Sequence, residues 1–507
     1  MINLLAKIEA HTEVRKNTRM NGDQKSQNGE YGRLDRVGRV RAPKIPQAPH
    51  LWLQGDPIDL AQLKGRPILL DFWTSGCINC LHVAQEIEHL HQAFPELVVI
   101  GIHTPKFERE SEPELVHSAI QRLGLRHPIF LDQDRNVREL YAIRAWPTLV
   151  LIDQEGRIVS QVAGEGRTPE LGNMLKEMRS GRSGVLDIPS LVEAERDFLA
   201  HPEKLAPHPE TQRLYVAETG EHRILVFTQE GEFIQQLGHG SPGFEDGNSH
   251  EAQFRFPQGL VVDPTGRYLY IADRGNHALR RWDLELQQVE TLLGNGKQGR
   301  GYLPAWQGQE AELNAPWDLT WHQEWLYLAC AGSHQIWRYD PRSKLVEVVL
   351  GRGEENLVDG PPEEALLAQP MAIASDGKHL YWLDAEASAL RCWDGKQAHT
   401  LVGTGLFAFG FQDGMFPLAQ LQHPQGLTYH EGKLWIADTY NQAIRCYDLR
   451  TGVLSTFAKD LAEPQDLFWD KGQCWLLDQG ISEWSQQGFR PLTLFRCEDE
   501  ACIILRA

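Results

Sequence analysis

The chain has 507 residues, too many for one ordinary core, so two or three domains are expected. It is 41% hydrophobic and 23% charged with a formal net charge of −19, the composition of a globular protein with an acidic body. That acidity argues against a nucleic-acid partner, which needs a basic surface, and no run approaches the roughly 18 apolar residues of a membrane-spanning helix.

The first 44 residues depart from this balance. They hold ten Lys/Arg against five Asp/Glu and include the polar run MNGDQKSQNGEYG, so 1–44 reads as a disordered basic arm. The opening MINLLAKIEAHTEVRKN lacks the pattern of a secretory signal. Eight cysteines, four of them scattered singly, do not resemble a secreted disulfide scaffold, and a reducing cytoplasm is expected.

Residues 45–180 alternate strand and helix. PILLDFW at 67–73 is a continuous apolar run, as for a strand buried on both faces. The stretch 80–94 has the helical period. LVVIGIH at 97–103 reads as a second buried strand and 111–124 as a second helix, closed by Gly124. TLVLID (148–153) and RIVSQVA (157–163) make a hairpin, and a last helix covers about 168–179. Asp132-Gln133-Asp134-Arg135-Asn136 opens like a calcium loop but lacks the glycine and glutamate that follow in one, so it reads as a helix N-cap.

After a linker at 181–202 the period changes and a repeat runs over 203–496, leaving a short strand or tail at 497–507. FPQGLVVDPTGRYLYIADRGNHALRRWD (256–283) and HPQGLTYHEGKLWIADTYNQAIRCYD (423–448) are its clearest copies. Six units of about four short strands each predict six propeller blades. The Tyr270 to Arg280 run is NHL-like. Its Asp273 and the matching Asp438 are expected to accept backbone N–H bonds in the turn that follows their strand. Three junctions carry an echoing text with Asp-Gly, at 244–257, 357–370 and 411–424. Such loops either bind partners or lengthen the packing between blades.

The chemistry concentrates in DFWTSGCINC, Asp71 to Cys80. Cys77 falls where the strand gives way to the helix, so it should cap that helix. The free N–H groups and the dipole would favour its thiolate and make it the attacking group. Cys80, one turn further and less exposed, can resolve the mixed disulfide. Asp71 could relay a proton to or from Cys80. A zinc site needs four ligands, and the other close pair, Cys497 and Cys502, lies in a different domain. No metal and no cofactor is expected. His82, on the same helix, reads as a solvated histidine.

The run I-L-L-D-F-W-x-x-x-C-x-x-C resembles thioredoxin, and Trp146-Pro147-Thr148 matches the proline, cis in that family, that faces the dithiol. The resemblance implies that Trp146 pairs its backbone with substrate and that Pro147 sits against the cysteines. With Trp73 they form the expected substrate-binding set. Over about 39–495, Cys77-Ile78-Asn79-Cys80-Leu81-His82, His103-Thr104-Pro105-Lys106-Phe107 and the following repeats resemble the NHL repeat-containing protein 2 family. That resemblance implies a multidomain chain: an α/β thioredoxin-like fold docked on an all-β six-bladed NHL β-propeller. Ile78-Asn79 stands where thioredoxin has Gly-Pro, so reductase, oxidase and isomerase directions all remain open.

Two readings follow. One is a thiol–disulfide oxidoreductase whose protein substrates are selected by the propeller loops. The other is a non-catalytic interaction scaffold with a vestigial dithiol.

Overall fold

The computed structural model describes residues 40–178, 201–299, 306–307, 310–470, 473–478, 493–498 and 501–506. Most of the expected basic arm and of the expected linker lies outside them.

The first domain is built on one sheet. Its strands are β1 (Trp52–Gln54), β2 (Ile68–Trp73), β3 (Val98–His103), β4 (Ile129–Leu131), β5 (Thr148–Ile152) and β6 (Ile158–Ala163), in the order β1-β4-β3-β2-β5-β6. β2 runs parallel to β3 and antiparallel to β5, with Asp71 opposite Gly101 and Leu149. Every residue of β2 is buried because both faces are covered. Leu70, Phe72, Ile100, Ile102, Val150 and Ile152 face one layer with Trp52, Phe130 and Tyr141. The alternate residues Leu69, Val99, Leu149 and Leu151 face helices α1 (Ile78–Ala93) and α4 (Thr168–Met178) through Val83, Ile87, Leu90, Leu171 and Leu175. This is the period of two that a strand imposes.

Two further helices complete the domain. Helix α2 (Pro113–Leu123) ends at Gly124 in the left-handed conformation, as expected. Helix α3 (Asn136–Leu140) is capped from a distance: Asp132 accepts the N–H groups of Val137 and Arg138 at 2.9 and 2.7 Å, while Arg135 occupies the cap position itself. The short strands β1 and β4 were not foreseen, each being only three residues long.

The described residues from 202 onward form six antiparallel sheets of four or five strands. The first strands of successive sheets touch in a circuit, and Pro464–Asp470 of the last returns to Pro202–Pro207 of the first. This is the ring arrangement of a β-propeller. The expected terminal strand, Ala501–Arg506, pairs with Thr493–Glu498 as the outermost strand of the last sheet.

The repeat motif is an anchoring network. Asp273 accepts a side chain, not a backbone N–H, from the turn after its own strand, contrary to expectation. One oxygen accepts the Arg255 N–H at the entrance to the same sheet (2.8 Å). The other accepts Asn276 Nδ2 and Arg280, both at 2.8 Å. Asp438, Asn441 and Arg445 repeat the set. Each buried arginine then reaches the aspartate of an Asp-Gly loop: Arg280 to Asp246, Arg391 to Asp359, Arg445 to Asp413. Those aspartates also take the Oγ1–H of Thr291, Thr400 and Thr456. The following Gly247, Gly360 and Gly414 have φ of 144, 140 and 135°, where an L side chain is rarely found. The echoing text therefore straps each loop to the outer edge of its own sheet, covering backbone groups that an open edge would expose.

Candidate functional site

Strand β2 ends at Trp73, and three residues later the chain enters α1. Cys77 is the N-cap residue, with extended backbone (φ −84°, ψ 117°), and its carbonyl accepts the N–H of Cys80 (3.0 Å) and Leu81 (3.2 Å). The two cysteines are free thiols. Cys77 is 9% exposed and Cys80 3%. The expected order of exposure therefore holds.

The structure brings Cys77, Cys80, Trp73 and Trp146 into one packed cluster with Val116, Ile120 and Leu131. The Trp146–Pro147 peptide bond is cis. Trp73 packs edge-on against His103 at 4.7 Å, and the Trp146 ring carries the Arg138 guanidinium at 4.3 Å. Burial pushes the Cys80 thiol well above its usual range. The hydrogen bond and charge of Cys77 add to this, a backbone bond at Thr74 opposes it, and the Asp71 carboxylate pushes the same way. Asp71 is itself buried, and burial pushes it up to about 7. Its Oδ1 has no hydrogen-bond partner among the described residues.

The loop before the helix is held by Glu110, which sequence reasoning missed. Its carboxylate accepts from the Ser75 hydroxyl (3.1 Å), the Gly76 N–H (3.0 Å), the Lys106 N–H (2.7 Å) and the Phe107 N–H (3.1 Å). Nothing in the spacing marks it, because its partners are mostly backbone groups.

The dithiol end of the domain is the end that meets the propeller. Ile78 and Leu81 pack against Ala315, Trp317, Ala331, Met371 and Ala385. Phe107 packs on Phe409 and Tyr440. A Cβ on Gly76 would stand 2.8 Å from His423 Cε1 and 3.2 Å from the Tyr440 hydroxyl oxygen, so a side chain there would force the two parts apart. Gln369 donates to the Gly76 carbonyl (2.7 Å) and accepts from the Ile78 N–H (2.8 Å). Lys106 pairs with Glu386. His82 is not solvated as expected: it lies in this junction, bonded to Glu165 at 2.8 Å and edge-on to His277 at 5.5 Å. The start of the helix carrying it is covered by the propeller rather than by water.

A family profile described as AhpC/TSA family matches residues 42–161, and the NHL repeat profile matches residues 254–282. Protein SUPPRESSOR OF QUENCHING 1, chloroplastic, of Arabidopsis thaliana is 34% identical over 455 residues, which cover 84% of this chain and 43% of that protein. NHL repeat-containing protein 2 of Homo sapiens is 30% identical over 464 residues, 83% of this chain and 64% of that protein. Thiol-disulfide oxidoreductase ResA of Bacillus thuringiensis is 27% identical over 126 residues, 25% of this chain and 71% of that protein.

Fold, site and profiles together define a protein that joins a thioredoxin-like domain to an NHL-repeat β-propeller. More particularly, the chain is similar over most of its length to the proteins named NHL repeat-containing protein 2, at 30–32% identity. It spans less than two thirds of the length of these relatives. Among the described residues no helix is long and apolar enough to cross a membrane.

Proposed function

We propose that the chain is a thiol–disulfide oxidoreductase acting on protein substrates, with Cys77 as attacking thiol, Cys80 as resolving thiol and Asp71 as proton relay. The Cys77 thiolate attacks one sulfur of a substrate disulfide, that S–S bond breaks, and the released sulfur takes a proton. Cys80, giving its proton to the Asp71 carboxylate, then attacks the Cys77 sulfur; the Cys77–substrate S–S bond breaks, and the second substrate sulfur leaves and takes a proton. The products are a Cys77–Cys80 disulfide and a substrate dithiol, the two electrons having come from the protein's own thiols. Run backward, the same steps oxidise a substrate. Trp73, Trp146 and Pro147 would line the substrate's path, with the Trp146 backbone pairing an extended segment.

One observation carries the reading: the buried, high-titrating Cys80 feels the carboxylate of an equally buried Asp71, whose Oδ1 has no partner among the described residues. A resolving thiol that is reluctant to ionise needs a nearby base, and a carboxyl raised to about 7 is matched to that task. The sparse cysteine usage fits a reducing compartment such as the cytoplasm. We further propose that the six sheets are the blades of one closed six-bladed propeller, which selects the substrate.

A second reading, a scaffold with an idle dithiol, is favoured by the seating of Gly76 and Ile78 against propeller residues. Insulin reduction by the full chain separates the two. Cys77→Ser should abolish exchange, and Cys80→Ser should trap a mixed disulfide on Cys77. Exchange surviving unchanged in Cys77→Ser would sink the oxidoreductase reading.

A further inference from the structure

Gln369 precedes the proline that opens the fourth sheet, and its backbone is left-handed (φ 59°). The matching corners Phe256, Ala315 and His423 are left-handed too, at φ 50, 46 and 46°. The repeat fixes this corner backbone. The Gln369 N–H donates to His334 Nδ1 (3.0 Å), and its carbonyl accepts the Ala385 N–H (3.1 Å). The side chain is what varies from corner to corner. At this one it is an amide, 1% exposed, whose two ends bond the backbone on either side of Cys77.

Helix α1 begins at Ile78, so the Ile78 N–H is one of those that a helix leaves unpaired and that make its start electropositive. Gln369 Oε1 occupies it at 2.8 Å, while Gln369 Nε2 holds the Gly76 carbonyl at 2.7 Å and touches Met371 Sδ at 3.0 Å. The other charged and titratable groups here are accounted for by different partners. Lys106, which feels Cys77, is held by Glu386 with Glu355 near it. Glu110 is bound to the Gly76 N–H. Asp71 acts on Cys80, and His423 and Tyr440 stack beside Gly76.

We propose that Gln369, supplied by the propeller, is a positioning residue of the dithiol: by bridging Gly76 and Ile78 it fixes the cap geometry of Cys77 and moderates the pull of the helix start on its thiolate. This rests on the reading of Cys77 as the attacking thiol.

The test measures the rate at which iodoacetamide alkylates Cys77 in the full chain at pH 8, resolved by peptide mass. Gln369→Met, similar in length and without polar ends, frees the Ile78 N–H and should react about two- to fivefold faster, the range that a helix-terminus charge interaction carries. Gln369→Glu sets a carboxylate on the same N–H and should react slower by a similar factor. Loss of packing alone would move both variants the same way, and that result, or rates unchanged in both, overturns the proposal. Should Gln369→Glu not fold, the rate of Gln369→Met is followed from pH 6 to 10: a gain that fades at high pH, where the thiol is ionised in both proteins, supports the proposal, and a gain equal at every pH overturns it. Alkylation needs no turnover. A chain that shows the opposed shifts yet exchanges disulfides equally well as Cys77→Ser would overturn the oxidoreductase reading and leave the role of Gln369 standing.

Discussion

Asp71 is buried in the middle of a sheet, with one oxygen unpartnered among the described residues, and burial pushes its carboxyl up to about 7 against an ordinary 3.8. Between those two values the unfolded chain has lost the proton and the folded chain still holds it. Stability therefore falls as pH rises from about 4 to about 7. Asp71→Asn carries no such charge, so it should be more stable than the natural protein at pH 8, by on the order of 4 kcal/mol at most. The two should converge at pH 4. Thermal unfolding at both pH values checks this, and an equal offset at each would remove the link between burial and ionisation. Asp71 and the cysteines could be read from ten consecutive residues because they are held by local strand-to-helix geometry. Glu110 and Gln369 could not, since each acts on backbone atoms and leaves no spacing to recognise.

The elements show the same division. The long apolar strands and the helices of the first domain could be found from periodicity, because burial on one face or two writes itself into the sequence. The repeat revealed its strands but not its wiring: Arg280, Arg391 and Arg445 sit seven residues after the aspartates they bind and more than 30 after the Asp-Gly loops. In the third sheet Cys330 and Trp337 stand where Asp273 and Arg280 stand in the second, an apolar pair replacing a charged one. Removing one partner of a buried pair is far costlier than replacing both. Arg445→Met should thus lower stability by about 3 kcal/mol or more. Asp413→Ala, at the half-exposed end of the same chain of bonds, should cost about 1 kcal/mol. Thermal unfolding of the two variants ranks them, and the reverse order would mean that the strap rather than the buried pair holds the blade.

At the scale of the molecule, the order of parts was readable and their mutual orientation was not. The junction joins Gly76 to Gln369, Lys106 to Glu386 and Phe107 to Tyr440, residues nearly 300 or more apart in the chain. No periodic pattern carries such pairings. The consequence is that the propeller meets the thioredoxin-like domain at the start of the dithiol helix, so the chemistry and its surroundings come from different parts of the chain. The central claim is that Cys77 and Cys80 exchange two electrons as a pair. Equilibrating the full chain in glutathione buffers of graded ratio, quenching with acid, alkylating the free thiols and weighing the peptides tests it directly. The account predicts one two-electron transition in which Cys77 and Cys80 lose their free thiols together. Thiols that stay reduced across the whole range, or Cys77 carrying glutathione while Cys80 stays free, would contradict it.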